Sequence, residues 1–194
     1  MQFYCLDIYI SPIKRTMINM IINHLANKIS VSIKRANPEE TSSIEIMQYS
    51  LNIILNTLLI LSGSALIGLL LDNLVDTMLF FVSLSILRIC SGGFHLKTAS
   101  ACNVVTILLC TLTPYFLNFR GGIVLVINTI SFIIMLLFAP NPDKNAQIPL
   151  RFFPHLKLAS ILLVSFNFII NSSVIGLAFF VQSLTVIPWK RRGK

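Results

Sequence analysis

The stretch RICSGGFHLKTASAC, residues 88–102, places two thiols and one imidazole inside a sequence that is otherwise mostly apolar. A thiolate is a strong nucleophile, and a neighbouring imidazole can take the proton of a thiol and stabilise the anion. His95 and Cys102 are therefore a candidate general base and nucleophile, and Cys90 is an alternative nucleophile on the same argument. A loop histidine beside an inert cysteine is the simpler structural interpretation of the same residues.

The spacing of His95 and Cys102 limits how they can work together. On a straight helix, seven residues place two side chains on one face but about 10.5 Å apart along the axis. A hydrogen bond requires about 3 Å between heavy atoms. A working pair therefore needs a bend or non-helical backbone between the two residues, which Gly92-Gly93 and residues 98–100 allow.

Other residues of the stretch have two possible roles each. Gly92 and Gly93 can form a permissive loop turn, or they can present backbone N–H groups to a developing oxyanion. Arg88 can neutralise a lipid phosphate, or it can hold a substrate carboxylate or phosphate through its planar guanidinium. The stretch has no acidic residue, and the sequence lacks CxxC and zinc-ligand spacing. We therefore predict no metal and no cofactor.

The composition indicates an integral membrane protein. Of the 194 residues, 55% are hydrophobic and only 11% are charged, whereas a soluble domain usually has about 25% charged residues. The net charge of +8 fits cationic loops beside an anionic leaflet better than a nucleic-acid interface. The sequence thus predicts a cell-membrane protein whose partners include lipids and exclude nucleic acid.

Apolar runs predict an all-α, polytopic fold with about six membrane segments. The last run, 158–187, is too long for one upright crossing, and NSS at 171–173 predicts a turn that divides it; a single tilted helix is the alternative. The other four runs are 51–71, 74–91, 102–119 and 122–140. Three regions result: an interfacial region 1–50, a transmembrane domain 51–187 and a basic tail 188–194.

The N-terminal region has helical periodicity of a different kind. Apolar residues recur at helical spacing between residues 16 and 35, interrupted by Asn and Lys side chains. This pattern predicts an amphipathic helix that lies on the membrane surface, or equally a helix that packs on the rest of the protein. NPEE at 37–40 then predicts the start of the next helix, because Asn caps, Pro suits the first turn and Glu complements the helix dipole.

The distribution of basic residues predicts the topology. If the N-terminus is cytoplasmic, six crossings put every one of the 15 Lys and Arg residues except Arg120 on the cytoplasmic side. Cytoplasmic loops of membrane proteins carry an excess of Lys and Arg. Both termini and the 88–102 stretch are therefore predicted to face the cytoplasm.

Arg88, Gly93, His95 and Cys102, placed between membrane helices after an amphipathic region, resemble the pattern of the accessory gene regulator B (AgrB) family of membrane peptidases in peptide quorum sensing. The loop FAPNPDKNAQIPL at 138–150 is also similar to that family. The chain departs from the family's lysine-rich pattern after Ala-Pro, and this puts a substrate role for the loop in doubt.

The resemblance implies a specific activity. It assigns the catalytic pair to His95 and Cys102, in preference to Cys90, and makes 51–187 a peptidase domain. The expected substrate is a small amphipathic propeptide resembling the accessory gene regulator D product, docked by the N-terminal region. Its C-terminal part is cleaved through an acyl-enzyme thioester, and an internal thiol or hydroxyl then closes a thiolactone or lactone ring. A homodimer is also implied.

Two other functions fit the residues without that resemblance. One is a small peptide exporter or transporter component without covalent chemistry, whose polar residues would line a pathway at membrane depth. The other is a non-catalytic membrane scaffold. Faster labelling of Cys102 than of Cys90 by a thiol probe, lost when His95 is replaced, would distinguish the enzyme from both.

Overall fold

A computed structural model describes residues 17–94, 98–116, 121–141 and 149–188. These residues form seven α-helices and a short 3-10 turn, Leu150–Phe152. The helices are α1 (Met17–Ala36), α2 (Ile44–Leu70), α3 (Leu74–Ser91), α4 (Ala99–Phe116), α5 (Gly122–Phe138), α6 (Phe153–Ile170) and α7 (Ser173–Val186). The predicted all-α, polytopic fold is confirmed.

Six apolar helices follow α1. Four segments are long and apolar enough to cross a membrane: α2, α3, α4 and the stretch Leu150–Ile170 that contains α6. The other two, α5 and α7, are apolar but have 17 and 14 residues. The amphipathic α1 is not among the candidate spans. The number of crossings and the interfacial position of α1 stay predictions.

The predicted break in the last apolar run is confirmed, and the single tilted helix is wrong. Asn171 adopts the left-handed conformation, with φ 53°, at the end of α6. Ser172 then caps α7 through its hydroxyl, which accepts the Ile175 N–H at 3.4 Å. Elsewhere the apolar runs locate the helices, but α2 and α4 begin earlier than the runs at 51 and 102.

The predicted helix start at residues 37–40 is wrong, because α2 begins at Ile44. Asn37 does accept the Glu40 N–H through its side chain, at 3.4 Å, but this bond closes a turn. The Lys34 ammonium of α1 donates to two carbonyl oxygens of the segment that follows, at 2.7 and 2.8 Å. Those carbonyls therefore bond back to α1 instead of opening a new helix.

Contacts divide the chain into two compact units, and each is described by itself. The first holds α1, the part of α2 up to Gly63 and the part of α4 up to Thr106. On α1 the buried residues follow a spacing of four: Ile22, Ala26 and Ser30. Within this unit α4 is joined to α2 by the Asn103 amide, which donates to Asn56 Oδ1 at 2.7 Å.

In the second unit, α7 packs against α3, α5 and α6. An apolar cluster joins these four helices, and its buried members are Leu87, Met135, Ala139, Val164, Phe179 and Val186. More than half of the α7 residues are buried. α7 is therefore the interior helix of this unit.

The second unit has an apolar surface and small polar residues in its interior, as expected for helices surrounded by lipid. Large apolar side chains are exposed, as at Leu70 (78%), Val75 (78%) and Ile169 (83%). Small polar side chains are buried, including Ser83, Ser131, Ser160 and Ser183. The hydroxyls of Ser131, Ser160 and Ser183 each donate to a carbonyl three or four residues earlier in the same helix, so that they need no water. Apolar exteriors with small polar residues between helices are typical of membrane bundles.

Hydrogen bonds show which helix ends lie together in the second unit. The carboxyl end of α3 bonds to Asn141, just after α5, and to Thr185 at the carboxyl end of α7. At the opposite end, Asn128 near the start of α5 bonds to Asn167 near the end of α6, at 2.8 Å. The helices α3, α5 and α7 thus share a direction, and α6 runs against them.

The fully buried Asn167 amide is predicted to stabilise the fold. Its Nδ2 donates to Asn128 Oδ1 and to the Ser172 carbonyl, and its Oδ1 accepts the Ser172 N–H. Asn167→Leu leaves buried polar partners unpaired, which costs about 1–3 kcal/mol. We expect a lower midpoint of thermal unfolding in detergent, followed by fluorescence-detected gel filtration.

Thr129→Val is the matched control for this prediction. It lies next to Asn128 on α5, but its hydroxyl is exposed and bonds only within its helix. Its unfolding midpoint should equal that of the unmodified protein. Equal midpoints for Asn167→Leu and Thr129→Val would show that the Asn128–Asn167 pair contributes nothing.

Candidate active site

The two glycines end α3 and turn the chain. Gly92 has φ 68° and Gly93 has φ 134°, conformations that favour glycine. The Gly92 N–H donates to the Arg88 carbonyl at 2.9 Å, and the Gly93 N–H donates to the Asn141 carbonyl at 2.9 Å. Both N–H groups are occupied in this conformation, so they are not free for an oxyanion. The geometry fits the other predicted role, a permissive turn.

The turn, residues 91–94, is fixed by the end of α7 and by Asn141. The Phe94 N–H donates to the Thr185 carbonyl at 2.7 Å, and the Asn141 N–H donates to the Ser91 carbonyl at 2.8 Å. The Asn141 side chain also donates to the Val186 carbonyl at 3.0 Å. The last carbonyls of a helix have no partner within it. The turn and Asn141 satisfy two of these carbonyls at the end of α7.

Gln182 of α7 reaches the same turn from the interior. Its side chain is fully buried, and its Nε2 donates to the Gly92 carbonyl at 2.6 Å and to Ser91 Oγ at 3.0 Å. The amide orientation is determined by the Gly92 carbonyl, which only accepts. Gln182 Oε1 is buried and has no hydrogen-bond partner. The Gln182 amide therefore donates to the turn through Nε2, while its acceptor atom Oε1 stays unpaired.

Arg88 lies in the last turn of α3. Its guanidinium donates to the Phe94 carbonyl at 3.3 Å. Together with the Phe94 N–H bond to α7, this contact holds both backbone polar groups of the residue that precedes His95. The side chain therefore takes part in shaping the turn, and its predicted roles toward lipid or substrate anions stay predictions.

Cys102 belongs to the first unit and lies in the first turn of α4. Its N–H donates to the Thr98 carbonyl at 3.1 Å, and Thr98 Oγ1 accepts the Ala101 N–H at 3.3 Å. Thr98 is thus the capping residue that starts the helix. The thiol is half-buried.

His95 lies outside the described residues, as does Lys97. α3 ends at Ser91 and α4 begins at Ala99, so His95 and Cys102 do not belong to one continuous helix. The axial separation of about 10.5 Å that a straight helix would impose does not apply to them. The condition that the sequence set for a working pair is met, while the pairing itself stays a prediction.

The other thiols differ in position. Cys90 is half-buried on α3, one residue from its end, and Cys110 is buried within α4. Cys90 lies inside a regular helix, whereas Cys102 lies at a helix start that follows a loop. Cys5 is outside the described residues, and so are Lys144 and most of the 138–150 loop.

Sequence reasoning missed the residues that hold the turn from a distance: Asn141, Gln182 and Thr185. The available signal was Gln182, an amide in the middle of the apolar α7. Polar residues in membrane helices usually face the interior and mark functional positions. Its partners, about 90 residues earlier in the chain, could not be read from the sequence.

The fold defines a polytopic α-helical membrane protein, in which residues 91–94 form a fixed glycine turn and Cys102 lies at the start of a helix. The family model for accessory gene regulator B (AgrB) matches residues 18–188. The chain therefore belongs to the AgrB family, and this membership supports an accessory gene regulator role in a membrane.

Individual relatives are distant. A putative AgrB-like protein of Clostridium perfringens is 26% identical over 138 residues, which cover 66% of this chain and 64% of that protein. The accessory gene regulator protein B of Staphylococcus aureus is 24% identical over 181 residues, 86% of this chain and 96% of that protein. The match thus spans slightly less than two thirds of the C. perfringens protein. No solved structure matches the chain.

Gly93 is predicted to tolerate no side chain. A Cβ at this position would lie 2.5 Å from Thr185 Oγ1, and φ is 134°. Gly93→Ala therefore forces the turn away from α7 and strains the backbone, which costs about 1–3 kcal/mol. We expect a lower unfolding midpoint in detergent.

Gly122→Ala is the control, because a Cβ there meets no atom within 4 Å and φ is not positive. This variant should unfold at the same temperature as the unmodified protein. If Gly93→Ala unfolds together with Gly122→Ala, the close packing of the turn on α7 is wrong.

Proposed function

We propose that the chain is a membrane cysteine endopeptidase that cleaves the C-terminal part of an autoinducing-peptide precursor and closes it into a macrocycle. Cys102 is the nucleophile and His95 the general base. The observation that carries the proposal is the match of the AgrB family model to residues 18–188, a range that includes the Arg88, Gly93, His95 and Cys102 pattern.

Cleavage begins with acylation of Cys102. His95 takes the thiol proton, and the thiolate attacks the carbonyl carbon of the scissile peptide bond. The C–N bond of the tetrahedral intermediate then breaks, and the imidazolium gives its proton to the leaving amine. A thioester joins the retained part of the peptide to Cys102, and the C-terminal fragment departs with a free amino group.

Cyclisation is the second half of the reaction. A thiol or hydroxyl within the retained peptide loses its proton to His95 and attacks the thioester carbonyl. The C–S bond to Cys102 breaks, the thiolate regains a proton, and a thiolactone or lactone ring is released. A thioester retains enough acyl-transfer potential for this step, and a site at the membrane edge limits competing hydrolysis.

The substrate we propose is a small amphipathic propeptide resembling the accessory gene regulator D product. On α1, Met20, Ile21 and Leu25 are exposed, at 54%, 59% and 42%. Such a face suits contact with lipid and with the apolar side of the propeptide. A homodimer is part of the proposal and rests on family membership.

We also propose that both termini and the site face the cytoplasm. The shared direction of α3, α5 and α7, with α6 opposed, is the alternation that six crossings require. The basic residues then lie on the side where the positive-inside rule expects them.

Replacement of the dyad should abolish cleavage. Cys102→Ala and His95→Ala each remove one half of the acid–base and nucleophile pair, so each should reduce cleavage at least about a hundredfold. The double variant should be little worse than either single variant, because the two act as a unit. The measurement is cleavage of the cognate propeptide by purified protein in lipid vesicles.

Cys90→Ala is the matched control and should retain most activity. Comparable gel-filtration profiles must show that each variant is folded. Substantial cleavage by Cys102→Ala, or loss confined to Cys90→Ala, would overturn the assignment of the nucleophile. An unmodified protein that binds the propeptide without cleaving it would favour the exporter.

The topology has a direct test in intact cells. A single cysteine at position 97 should resist a membrane-impermeant maleimide added from outside and react after permeabilisation. A cysteine at position 120 should react from outside, because Arg120 is the one basic residue predicted on that face. Labelling of position 97 before permeabilisation would contradict the cytoplasmic site.

A further inference from the structure

The charges of α1 are all of one sign. The helix contains two lysines, one arginine and one histidine but no acidic residue, and the next acidic residues, Glu39 and Glu40, lie beyond its end. The Lys34 ammonium is bound to two carbonyl oxygens of the following segment. Lys28 and Arg35 are exposed, and no carboxylate of the same helix balances their charge.

The basic side chains form a row along α1. At about 100° per residue, His24, Lys28 and Arg35 lie within a sector of about 40° around the helix axis. All three are exposed. The row lies opposite the buried residues of α1, which recur at a spacing of four. The helix therefore has one buried face and one exposed face with the cations along its middle.

Large apolar side chains flank this row and are also exposed. On the same helical geometry, Ile21 and Leu25 lie on one side of it and Met20 on the other. Their exposed fractions are 59%, 42% and 54%. An anionic bilayer surface suits both kinds of side chain, because the apolar groups enter the acyl boundary while the cations stay at the phosphates. Nucleic acid would use the cations alone.

We propose that this exposed face of α1, formed by Met20, Ile21, Leu25, Lys28 and Arg35, docks on a phospholipid surface with negatively charged headgroups. Apolar side chains alone would bind neutral and anionic lipid equally well. The basic row makes docking depend on headgroup charge, since each Lys or Arg near an anionic surface strengthens binding about fivefold. This docking does not depend on the peptidase activity proposed above.

The test is amide hydrogen exchange of α1 in the full-length protein, measured by mass spectrometry in lipid nanodiscs. One set of nanodiscs contains phosphatidylcholine, and the other contains phosphatidylcholine mixed with phosphatidylglycerol. A helix held on a surface opens less often, so its amides exchange more slowly. Exchange of α1 should be slower in the anionic nanodiscs. Equal exchange in the two lipids would overturn the proposal.

Two charge substitutions assign the effect to the basic row. The double variant Lys28→Gln, Arg35→Gln should exchange about 10- to 30-fold faster than the unmodified protein in anionic nanodiscs, the loss expected for two cations. In neutral nanodiscs its exchange should be unchanged. Anionic slowing that persists in the double variant would show that these side chains do not recognise the headgroups.

Lys34→Gln is the matched control, because it removes one positive charge of the same helix outside the row. Its ammonium is bound to the Pro38 and Thr41 carbonyls, so the slowing of α1 exchange by anionic lipid should remain. If Lys34→Gln removes this slowing as completely as the double variant does, then the net charge of α1 governs the effect and the assignment to this face is wrong.

A further measurement needs no substitution. Added salt screens exposed charges, so it should bring exchange of α1 in anionic nanodiscs close to that in neutral ones. Slowing that is insensitive to salt would overturn the electrostatic part of the proposal. Slowing that appears only when an amphipathic peptide is added would assign the face to a peptide instead of lipid.

Cys102→Ala separates this inference from the proposed function. This variant lacks the proposed nucleophile, yet its α1 should respond to phosphatidylglycerol as in the unmodified protein. A protein that cleaves no propeptide but shows the lipid response retains the docking surface and loses only the peptidase assignment. A protein that cleaves the propeptide but shows no lipid response gives the opposite result.

Discussion

The chain must leave the apolar bundle at residues 91–94 without leaving its backbone polar groups unpaired. In hydrocarbon, each unpaired N–H or C=O costs several kcal/mol. α7 faces the same requirement, because the last carbonyls of a helix lack partners within it. The Phe94 N–H on the Thr185 carbonyl, and the Asn141 amide on the Val186 carbonyl, meet both requirements together. The turn and the carboxyl end of α7 therefore supply each other's missing hydrogen-bond partners.

The position of α7 follows from its composition. A helix of 14 residues is about 21 Å long, shorter than the ~30 Å hydrocarbon core. Its neighbours α3, α5 and α6 shield most of it, so its length need not match the lipid. It can therefore carry Gln182 and Ser183 where a lipid-facing helix would carry leucine. Ser172 caps its amino end. At its carboxyl end, backbone carbonyls accept hydrogen bonds from the turn and from Asn141.

Sequence periodicity located the apolar helices well, because length and hydropathy determine what can lie in a membrane. The division of 158–187 was readable for the same reason: Asn171 and Ser172 have side chains that favour a helix end and a cap. The helix start predicted at NPEE was wrong, because the Lys34 ammonium of the preceding helix donates to the Pro38 and Thr41 carbonyls. Local capping rules do not include such a competing donor.

The candidate site was readable only in part. Gly92 and Gly93 indicated a turn, and Cys102 is the first residue of the apolar run 102–119 that predicted a membrane segment. The N–H groups proposed for an oxyanion were found to be occupied by Arg88 and Asn141 carbonyls. Asn141 and Gln182 act over separations of tens of residues, and no local pattern encodes such contacts.

The buried amides explain how the bundle selects one arrangement of its helices. Apolar contacts between helices differ little from apolar contacts with lipid, so they specify position weakly. An amide bonds only in defined directions. The Asn128–Asn167 pair fixes one end of the second unit, and Gln182 fixes the other. The first pair is fully engaged, whereas Gln182 leaves Oε1 unpaired. The Gly92 carbonyl thus receives a donor from within the bundle, while the acceptor of the same Gln182 amide stays unpaired.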